Sequence, residues 1–273
     1  MIKVVMVRLD GSEADELRLR ALEPIARRFE AHVIGLFINV LPLLPADAGV
    51  AAADLIGKAR EFGDQAQVTL AQQLANVSTR SELRRFDVFP QAVADTAARE
   101  ARTADTFLTL RPASRDTVEE ARDLVEAVLF GSGRHVLLAP PEPHSGGHFD
   151  HVMIAWNRSR EAARAIGEAL PYLHLAQLVT VLVVDTEPPV EFMADIGADA
   201  VNYLRHHRLP ATLHRTKARK DDVGASLVEQ ARERDADLLV MGGYGHSRLR
   251  EWLTGGVTRY LLRHVTVPLL IAH

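Results

Sequence analysis

One stretch near the end of the chain decides the fold: residues 235–245, with the sequence DADLLVMGGYG. It begins with polar residues, continues as an apolar run from Leu238 to Met241, and ends in glycines. A short apolar run of this kind is typical of a parallel strand that is buried on both faces. Glycines directly after such a strand allow the backbone to approach another group closely. The stretch therefore predicts a parallel α/β sheet with an unusual turn at the carboxyl end of this strand.

A second glycine turn follows the first at a short distance. Nine residues separate Gly245 from Gly255, and an apolar pattern with helical spacing runs from Val257 to His264. The first backbone N–H groups of a helix have no partner within it, and they favour an anion. Two such turns could together hold several phosphates, or they could be turns with no ligand at all.

The two turns resemble the nucleotide motif of the universal stress protein family, G-x2-G-x9-G-[ST]. Gly242, Gly245 and Gly255 occupy the three glycine positions, and residues 257–258 continue the usual G-S-V-T of the family. Gly256 stands where the family has Ser or Thr, whose hydroxyl contacts a phosphate in ATP-binding members. The resemblance implies ATP or another adenine nucleotide as the ligand, with or without Mg²⁺.

Length and composition favour a globular protein with two domains. The chain has 273 residues, of which 47% are hydrophobic and 25% charged, and its formal net charge is −4. This charge gives no general support to nucleic-acid binding. The absence of cysteine excludes disulfides and cysteine nucleophiles. No apolar run approaches the roughly 20 residues that span a bilayer, so we expect no membrane association and a cytoplasmic location.

Strand and helix patterns alternate along the whole chain. The predicted strands, with helices in most of the connections, are Ile2–Leu9, Ala31–Val40, Ser81–Phe89, Ala104–Leu110, Arg134–Ala139, His151–Trp156, Leu178–Val184, Ala211–Thr216, Asp235–Val240 and Val267–His273. This alternation predicts a parallel sheet with helices on both faces. The segment Pro140–Gly147 is rich in proline and glycine and predicts a linker, so the predicted domains are residues 1–141 and 150–273.

Two pairs of landmarks indicate that the halves are repeats. Ala104–Leu108 matches Ala236–Val240 at an offset of 132, and Asp10–Ser12 matches Asn157–Ser159 at an offset of 147. The first half therefore carries about 15 additional residues, the difference between 147 and 132, which we place between Leu41 and Val77. Two such halves resemble the tandem form of the universal stress protein family. That resemblance implies two open five-stranded sheets of order 3-2-1-4-5, joined through their last strands as an intramolecular dimer.

In a sheet of this order, ligands bind beyond the carboxyl ends of strands one and four, where the strand order reverses. In the family, the strand-one turn and strand two hold adenine and ribose, while the glycine motif holds the phosphates. The matching positions imply these site residues: Ala155, Trp156, Asn157, Val183, Met241, Gly242, Gly245, His246, Gly255, Gly256, Val257 and Thr258.

Several of these residues have a second interpretation. Asn157 replaces the usual Asp of the family, and its amide could bind an adenine edge or cap the following helix together with Ser159. Trp156 could cover a base or simply pack against the protein. His246 could contact a phosphate or cap its own loop. Thr258 could contribute to metal binding.

The first half lacks a comparable motif. Asp10–Ser12 retains the strand-one turn, but Leu110–Ser114 contains no glycine after strand four. We therefore expect no nucleotide in the first half. His144, His148 and His151 at the linker could bind a transition metal or belong to a polar linker.

The sequence favours a binding protein over an enzyme. It contains no Walker motif and no dinucleotide fingerprint in the right context, and no convincing general base for hydrolysis. The resemblance implies a stress-response protein that binds an adenine nucleotide, with no ATPase activity or a very slow one. Two alternatives remain open: a structural or interaction protein with a vestigial site, and an enzyme that uses the crevice. The protein partner and the formation of a homodimer also remain open.

Overall fold

The computed structural model describes residues 1–44, 49–112, 117–141, 147–185, 196–218, 222–244 and 256–273. Three predicted site residues, Gly245, His246 and Gly255, lie outside these ranges, as does His144 of the linker. All ten predicted strands are confirmed within the described residues.

The strands are β1 Val4–Leu9, β2 His32–Val40, β3 Ser81–Val88, β4 Thr106–Leu110, β5 His135–Ala139, β6 His151–Ala155, β7 Leu178–Asp185, β8 Ala211–Lys217, β9 Leu238–Gly242 and β10 Leu269–Ala272. The α-helices are α1 Ala14–Phe29, α2 Gly49–Ala75, α3 Val93–Ala101, α4 Thr117–Ser132, α5 Arg160–Leu173, α6 Ala198–His206, α7 Val223–Glu233 and α8 Gly256–His264.

The chain divides into two compact units. Unit 1 contains Met1–Leu110 and Asp123–Arg134, and unit 2 contains Arg111–Arg122 and His135–His273. These units follow spatial contacts, whereas the predicted boundary between residues 141 and 150 follows the sequence repeat. That boundary stays a prediction.

Unit 1 contains the strand order β3-β2-β1-β4, and the pairs of β1 with β2, β1 with β4, and β2 with β3 are parallel. The strands are buried because they are apolar along their whole length, as in β1, where Val5, Met6 and Val7 have no exposed surface. The order is the predicted one for the first four strands of the repeat.

Unit 2 contains the order β5-β10-β9-β6-β7-β8. Its last five members, from β8 back to β10, have the order 3-2-1-4-5 that the family resemblance implies for the second half. β5 belongs to this unit because it pairs antiparallel with β10, with Leu137 opposite Leu270. The predicted pairing through the last strand of each repeat is therefore confirmed, while the sheet of unit 2 has six strands rather than five.

The additional length of the first half lies between its second and third strands, as predicted. Val33 of β2 pairs with Ser81 of β3, 48 residues later, whereas Val179 of β7 pairs with Ala211 of β8, 32 residues later. The difference of 16 residues corresponds to the long helix α2. Its C-terminal half is buried along a helical stripe that includes Leu70 and Leu74, but Phe62 in its first half is 50% exposed.

A polar cluster fixes helix α2 to the sheet of unit 1. The buried Asn39 donates from Nδ2 to the carbonyl of Ala59 at 3.0 Å and to Oδ1 of Asp87 at 2.7 Å. Arg85 donates to Asp87 and also to the carbonyl of Arg60 at 3.2 Å. Because each donor finds an acceptor, burial of these groups does not leave an unsatisfied polar atom.

Candidate functional site

The candidate site lies at the point where the strand order of unit 2 reverses. β6 has β7 on one side and β9 on the other, and Ala155 is opposite both Leu182 and Met241. The chain leaves β6 toward β7 through α5, and it returns to β9 only after β8 and α7. Crevices of parallel sheets form where connections diverge in this way. The predicted juxtaposition of strands one and four is therefore confirmed.

The strand-one turn is built by local hydrogen bonds. Trp156 still donates its backbone N–H to the carbonyl of Leu182 at 2.8 Å. Asn157 then accepts the N–H of Ser159 on Oδ1 at 3.1 Å, and Ser159 is the N-cap of α5, accepting the N–H of Ala162 at 3.1 Å. The helix cap is thus Ser159, and the exposed Asn157 orients it from two residues before.

Arg158, between these residues, has a left-handed backbone with φ of +60°. Gly11 occupies the equivalent place in unit 1 with φ of +82°. The conformation is common for glycine and costs about 1–2 kcal/mol for other residues. The same turn geometry is therefore retained in unit 2 despite an unfavourable residue. The Arg158 side chain forms an exposed ion pair with Asp199 at 3.3 Å.

Trp156 carries a buried donor without a partner. Its indole Nε1 is hidden from solvent and has no hydrogen-bond partner in the part of the chain that the structure describes. The side chain as a whole is only half-buried. An unsatisfied buried donor is unfavourable by about 1–3 kcal/mol, a cost that no contact among the described residues offsets.

Gly242 is held by packing against helix α5. A Cβ atom at this position would lie 2.4 Å from the backbone N of Ala162 and from the carbonyl C of Glu161. Only glycine fits because the end of β9 touches the helix backbone directly. The glycine that sequence analysis assigned to a ligand site therefore has a sufficient structural reason.

The residues after Gly242 are also fixed by neighbours. Gly243 donates its N–H to the carbonyl of Ala272 at 2.8 Å, and His273 donates from Nδ1 to the carbonyl of Gly243 at 3.0 Å. The N–H of Gly243 is thus used within the protein. Tyr244, the last described residue of this segment, has a left-handed backbone with φ of +58°.

Glu161 is a buried carboxylate beside Gly242, with 2% of its surface exposed. Burial would raise its pKa, but the hydrogen bond from Arg160, its own backbone N–H and the charges of Arg160 and His273 outweigh this and lower the pKa of Glu161. A buried carboxylate whose charge is compensated by its neighbours therefore lies directly beside the end of β9.

The N-terminus of α8 forms the described part of the second turn. Gly256 is exposed, and a Cβ atom at this position would meet none of the described residues within 4 Å. Val257 is half-buried and Thr258 is buried, with 7% exposure. Arg259 forms an exposed ion pair with Glu119 at 2.5 Å, and Glu119 also pairs with Arg122 at 2.6 Å.

Val183, the least specific of the predicted ligand positions, is packed inside unit 2. It is 2% exposed, and its Cγ2 lies 3.0 Å from the position that a Cβ of Gly197 would occupy. Met241 is likewise buried, with 6% exposure. These two side chains belong to the core below the crevice.

Sequence analysis missed Glu161, Ala272 and His273 as neighbours of the glycine turn. None of them lies close to Gly242 in sequence. The only local signal was the position of Glu161 in the first turn of a capped helix, which by itself favours the helix dipole and nothing more specific.

In the equivalent turn of unit 1, the carboxylates of Asp10 and Asp15 are paired with Arg18. Arg18 donates to both carboxylate oxygens of Asp10 at 2.7 Å, and Ser12 donates its backbone N–H to Oδ1 of Asp10 at 3.1 Å. The buried Asp15 accepts the N–H of Gly11 at 2.7 Å and also contacts Arg18. The polar groups of this turn are therefore largely occupied.

Helix α2 lies directly over the same turn. Ala66 Cβ and Phe62 Cζ each lie 3.1 Å from the position that a Cβ of Gly11 would occupy. A cavity of about 220 Å³ remains beside them, lined by Gly11, Ser12, Asp15, Phe62, Gln65, Ala66, Thr69, Leu70 and Gln73. This volume is below the 300–1,000 Å³ that is usual for small-molecule sites. Absence of a nucleotide from unit 1 stays a prediction.

The linker histidines do not form a metal site among the described residues, where no group of three or more potential ligands is found. Both ring nitrogens of His151 are used, one by the carbonyl of Arg234 at 2.9 Å and the other by the hydroxyl of Thr180 at 2.8 Å. His148 is exposed. In the part of the chain described here, no helix is long and apolar enough to cross a membrane.

The strand order and its switch point define an open α/β sheet, an architecture in which ligand sites typically lie beyond the carboxyl ends of the strands. Residues 148–273 match the family model described as "Universal stress protein family", so the chain contains a universal stress protein domain in this region. The first half repeats the strand order, which fits the tandem type. A search by sequence among curated proteins found no match.

Solved structures with the same fold cover nearly the whole chain. A universal stress protein from Archaeoglobus fulgidus DSM 4304 has 16% identity and a TM-score of 0.74, with 98% of this chain and 95% of that chain covered. A putative universal stress protein from Pseudomonas aeruginosa UCBPP-PA14 has 15% identity and a TM-score of 0.60, with coverage of 99% and 93%.

The cytoplasmic domain of a prokaryotic cation chloride cotransporter is also similar, with 11% identity, a TM-score of 0.52, and coverage of 99% and 95%. At these identities the likeness establishes the fold alone. Because proteins of different function share the fold, function has to be argued from the site.

Proposed function

We propose that unit 2 binds ATP or another adenine nucleotide in the crevice between β6 and β9, and that the protein acts in a stress response without catalysis or as a very slow ATPase. The observation that carries the proposal is the register of Ala155 opposite Met241, because it brings the turn at Asn157 next to the glycine segment that follows β9. The motif spacing of Gly242, Gly245 and Gly255 supports it.

Two features of the described residues fit a nucleotide. Trp156 offers an unpaired donor at the strand-one turn, and Gly256 leaves open space at the first turn of α8. The backbone N–H groups of that turn would favour phosphate, and the hydroxyl of Thr258 is the group that would contribute to holding Mg²⁺. In this proposal the protein works in the cytoplasm and forms homodimers, which cell fractionation and size-exclusion chromatography would test.

The decisive experiment is calorimetric titration of the purified protein with ATP and AMP, together with native mass spectrometry. We expect saturable binding with one nucleotide per chain. The proposal would be rejected if the titration released no heat and the mass spectrum showed no bound nucleotide. Phosphate release no faster than in buffer would support a binding function, and a rate well above it would favour an enzyme.

Variants of Gly256 provide the sharpest test of the phosphate end. Gly256→Ser restores the hydroxyl of the family motif and should tighten ATP binding. Gly256→Asp places a negative charge beside the phosphates and should weaken it about tenfold or more. Both changes suit the first turn of a helix, so the fold should be retained. Gly167→Asp, at an exposed position of α5 with nothing within 4 Å of a Cβ, is the matched control.

A second function is favoured by a different observation. The space beside Gly242 is filled by α5, and the N–H of Gly243 is bonded to Ala272, as in a glycine turn that is kept for packing. The protein would then be an interaction protein with a vestigial site. Its partner, identified by affinity capture, should bind equally well to the Gly256→Asp and Gly256→Ser variants.

A further inference from the structure

The indole N–H of Trp156 is an unexplained polar group at the strand-one turn. The atom is buried without a partner among the described residues, although the rest of the side chain is half-buried. Buried donors in proteins almost always find an acceptor, and the exceptions have a functional or structural reason. No such reason is found in the backbone, since the Trp156 N–H is already paired with Leu182.

We propose that Trp156 is a specificity-determining residue, whose indole N–H donates to an acceptor on the base or ribose of the bound nucleotide. This inference rests on the proposed function. Trp156 directly follows Ala155, so it stands at the strand-one end of the crevice and is tied by its backbone to Leu182 of β7. The phosphate end, at Gly256, belongs to a different element.

The N–H is buried, so the indole has to turn before it can meet an acceptor on a ligand. The torsion about the Cβ–Cγ bond of an aromatic side chain is broad, and the inference requires one such turn of the ring on binding. After this turn the indole N–H, which has no acceptor in the free protein among the described residues, forms a hydrogen bond to the ligand. Because the unpaired state is unfavourable, the ligand gains from relieving it.

Selectivity follows from the direction of this bond. A donor at the base end raises the affinity for ligands that have a ring nitrogen or a ribose oxygen within reach. It does not change the affinity for a phosphate chain that carries neither base nor ribose. The affinity for adenosine should therefore depend on Trp156, whereas the affinity for inorganic triphosphate should not.

The test compares wild type with Trp156→Phe, which keeps an aromatic ring but removes the donor together with one ring of the indole. We expect the Kd for ATP and for adenosine to rise about tenfold, and the Kd for triphosphate to stay unchanged. Tyr203→Phe, which removes one exposed hydroxyl from α6, is the control and should bind like wild type.

The second readout is the indole N–H signal in a proton–nitrogen NMR spectrum. The chain has two tryptophans, so the peak that is missing in Trp156→Phe identifies Trp156. Addition of adenosine should move this peak downfield, as expected when its proton forms a hydrogen bond. A raised Kd with an unmoved peak would indicate a packing role and overturn the inference.

The outcomes separate the two proposals. Wild-type protein that binds neither ATP nor adenosine overturns both. Wild-type protein that binds ATP with a Kd equal to that of Trp156→Phe overturns the role of Trp156 and leaves the nucleotide site standing.

Discussion

His151 and Asp237 are 86 residues apart in sequence and are joined by two hydrogen bonds: the N–H of His151 to Oδ2 of Asp237 at 2.9 Å, and the N–H of Asp237 to the carbonyl of His151 at 2.8 Å. Val4 and Asp105 form the same pair in unit 1, at 2.9 Å for both bonds. This contact joins strand one to the start of strand four in both units, and so sets the register of the two strands that border the crevice.

Removing either carboxylate should destabilise the protein. We expect Asp237→Ala or Asp105→Ala to lower the free energy of unfolding by about 1–2 kcal/mol, because a partly buried N–H loses its acceptor. Urea denaturation would measure this. Asn at either position keeps one acceptor and should recover most of the loss, while Asp54→Ala, which removes a carboxylate that is 65% exposed, should change little. Equal effects of all three Ala variants would contradict the assignment.

The carboxylates of the unit 1 turn predict a specific pH dependence. Burial alone would raise the pKa of Asp10, but the hydrogen bond and charge of Arg18, with help from Ser12 and Arg8, lower it from 3.8 to about 2. Burial and the charge of Asp10 raise the pKa of Asp15, which partly offsets this contribution.

A carboxyl group whose pKa is lowered by folding stabilises the protein above its unfolded pKa, and this contribution is lost as the pH falls. Asp10→Asn should therefore cost about 1–2 kcal/mol at pH 7, and the difference from wild type should disappear between pH 4 and pH 2. Urea titrations at several pH values would show this. A difference that stays constant down to pH 2 would mean that the charge of Asp10 does not contribute.

The left-handed turn predicts opposite effects in the two units. Arg158→Gly should stabilise the protein by about 0.5–1 kcal/mol, since the loss of its exposed ion pair with Asp199 matters little. Gly11→Ala should destabilise it by about 1–2 kcal/mol, because φ is +82° and the new Cβ would crowd Ala66 and Phe62. Thermal unfolding would measure both. Stabilisation by Gly11→Ala would contradict the turn geometry.

Gly242 should be required for folding even without a ligand. Gly242→Ala would place Cβ 2.4 Å from the backbone of α5 and should cost about 2–3 kcal/mol in the nucleotide-free protein. Gly167→Ala, at an exposed helical position, should instead stabilise it by up to about 1 kcal/mol. If Gly242→Ala unfolds like wild type, the packing contact is not needed for stability. If the variant is destabilised as expected, a loss of ligand binding does not by itself show that Gly242 contacts the ligand.

The site was predicted in part from the sequence. The turn at Asn157 and the helix that begins near Gly256 follow from turn residues and periodicity, which are local properties. The crevice between strands one and four was implied only by the family resemblance, because periodicity alone does not give the strand order. The packing of Gly242 on α5, the use of the Gly243 N–H by Ala272, and the unpaired Nε1 of Trp156 could not be predicted, because each depends on how closely distant segments approach.

The sequence by itself determined the repeated strand–helix pattern, the additional length between β2 and β3, and the matching Asp105 and Asp237. These are set by the period of apolar residues and by local backbone chemistry. The tertiary structure alone decided that α2 lies over Gly11 and that Gly242 touches helix α5. Both contacts depend on packing between segments that are distant in sequence, and no local pattern encodes which of these segments meet.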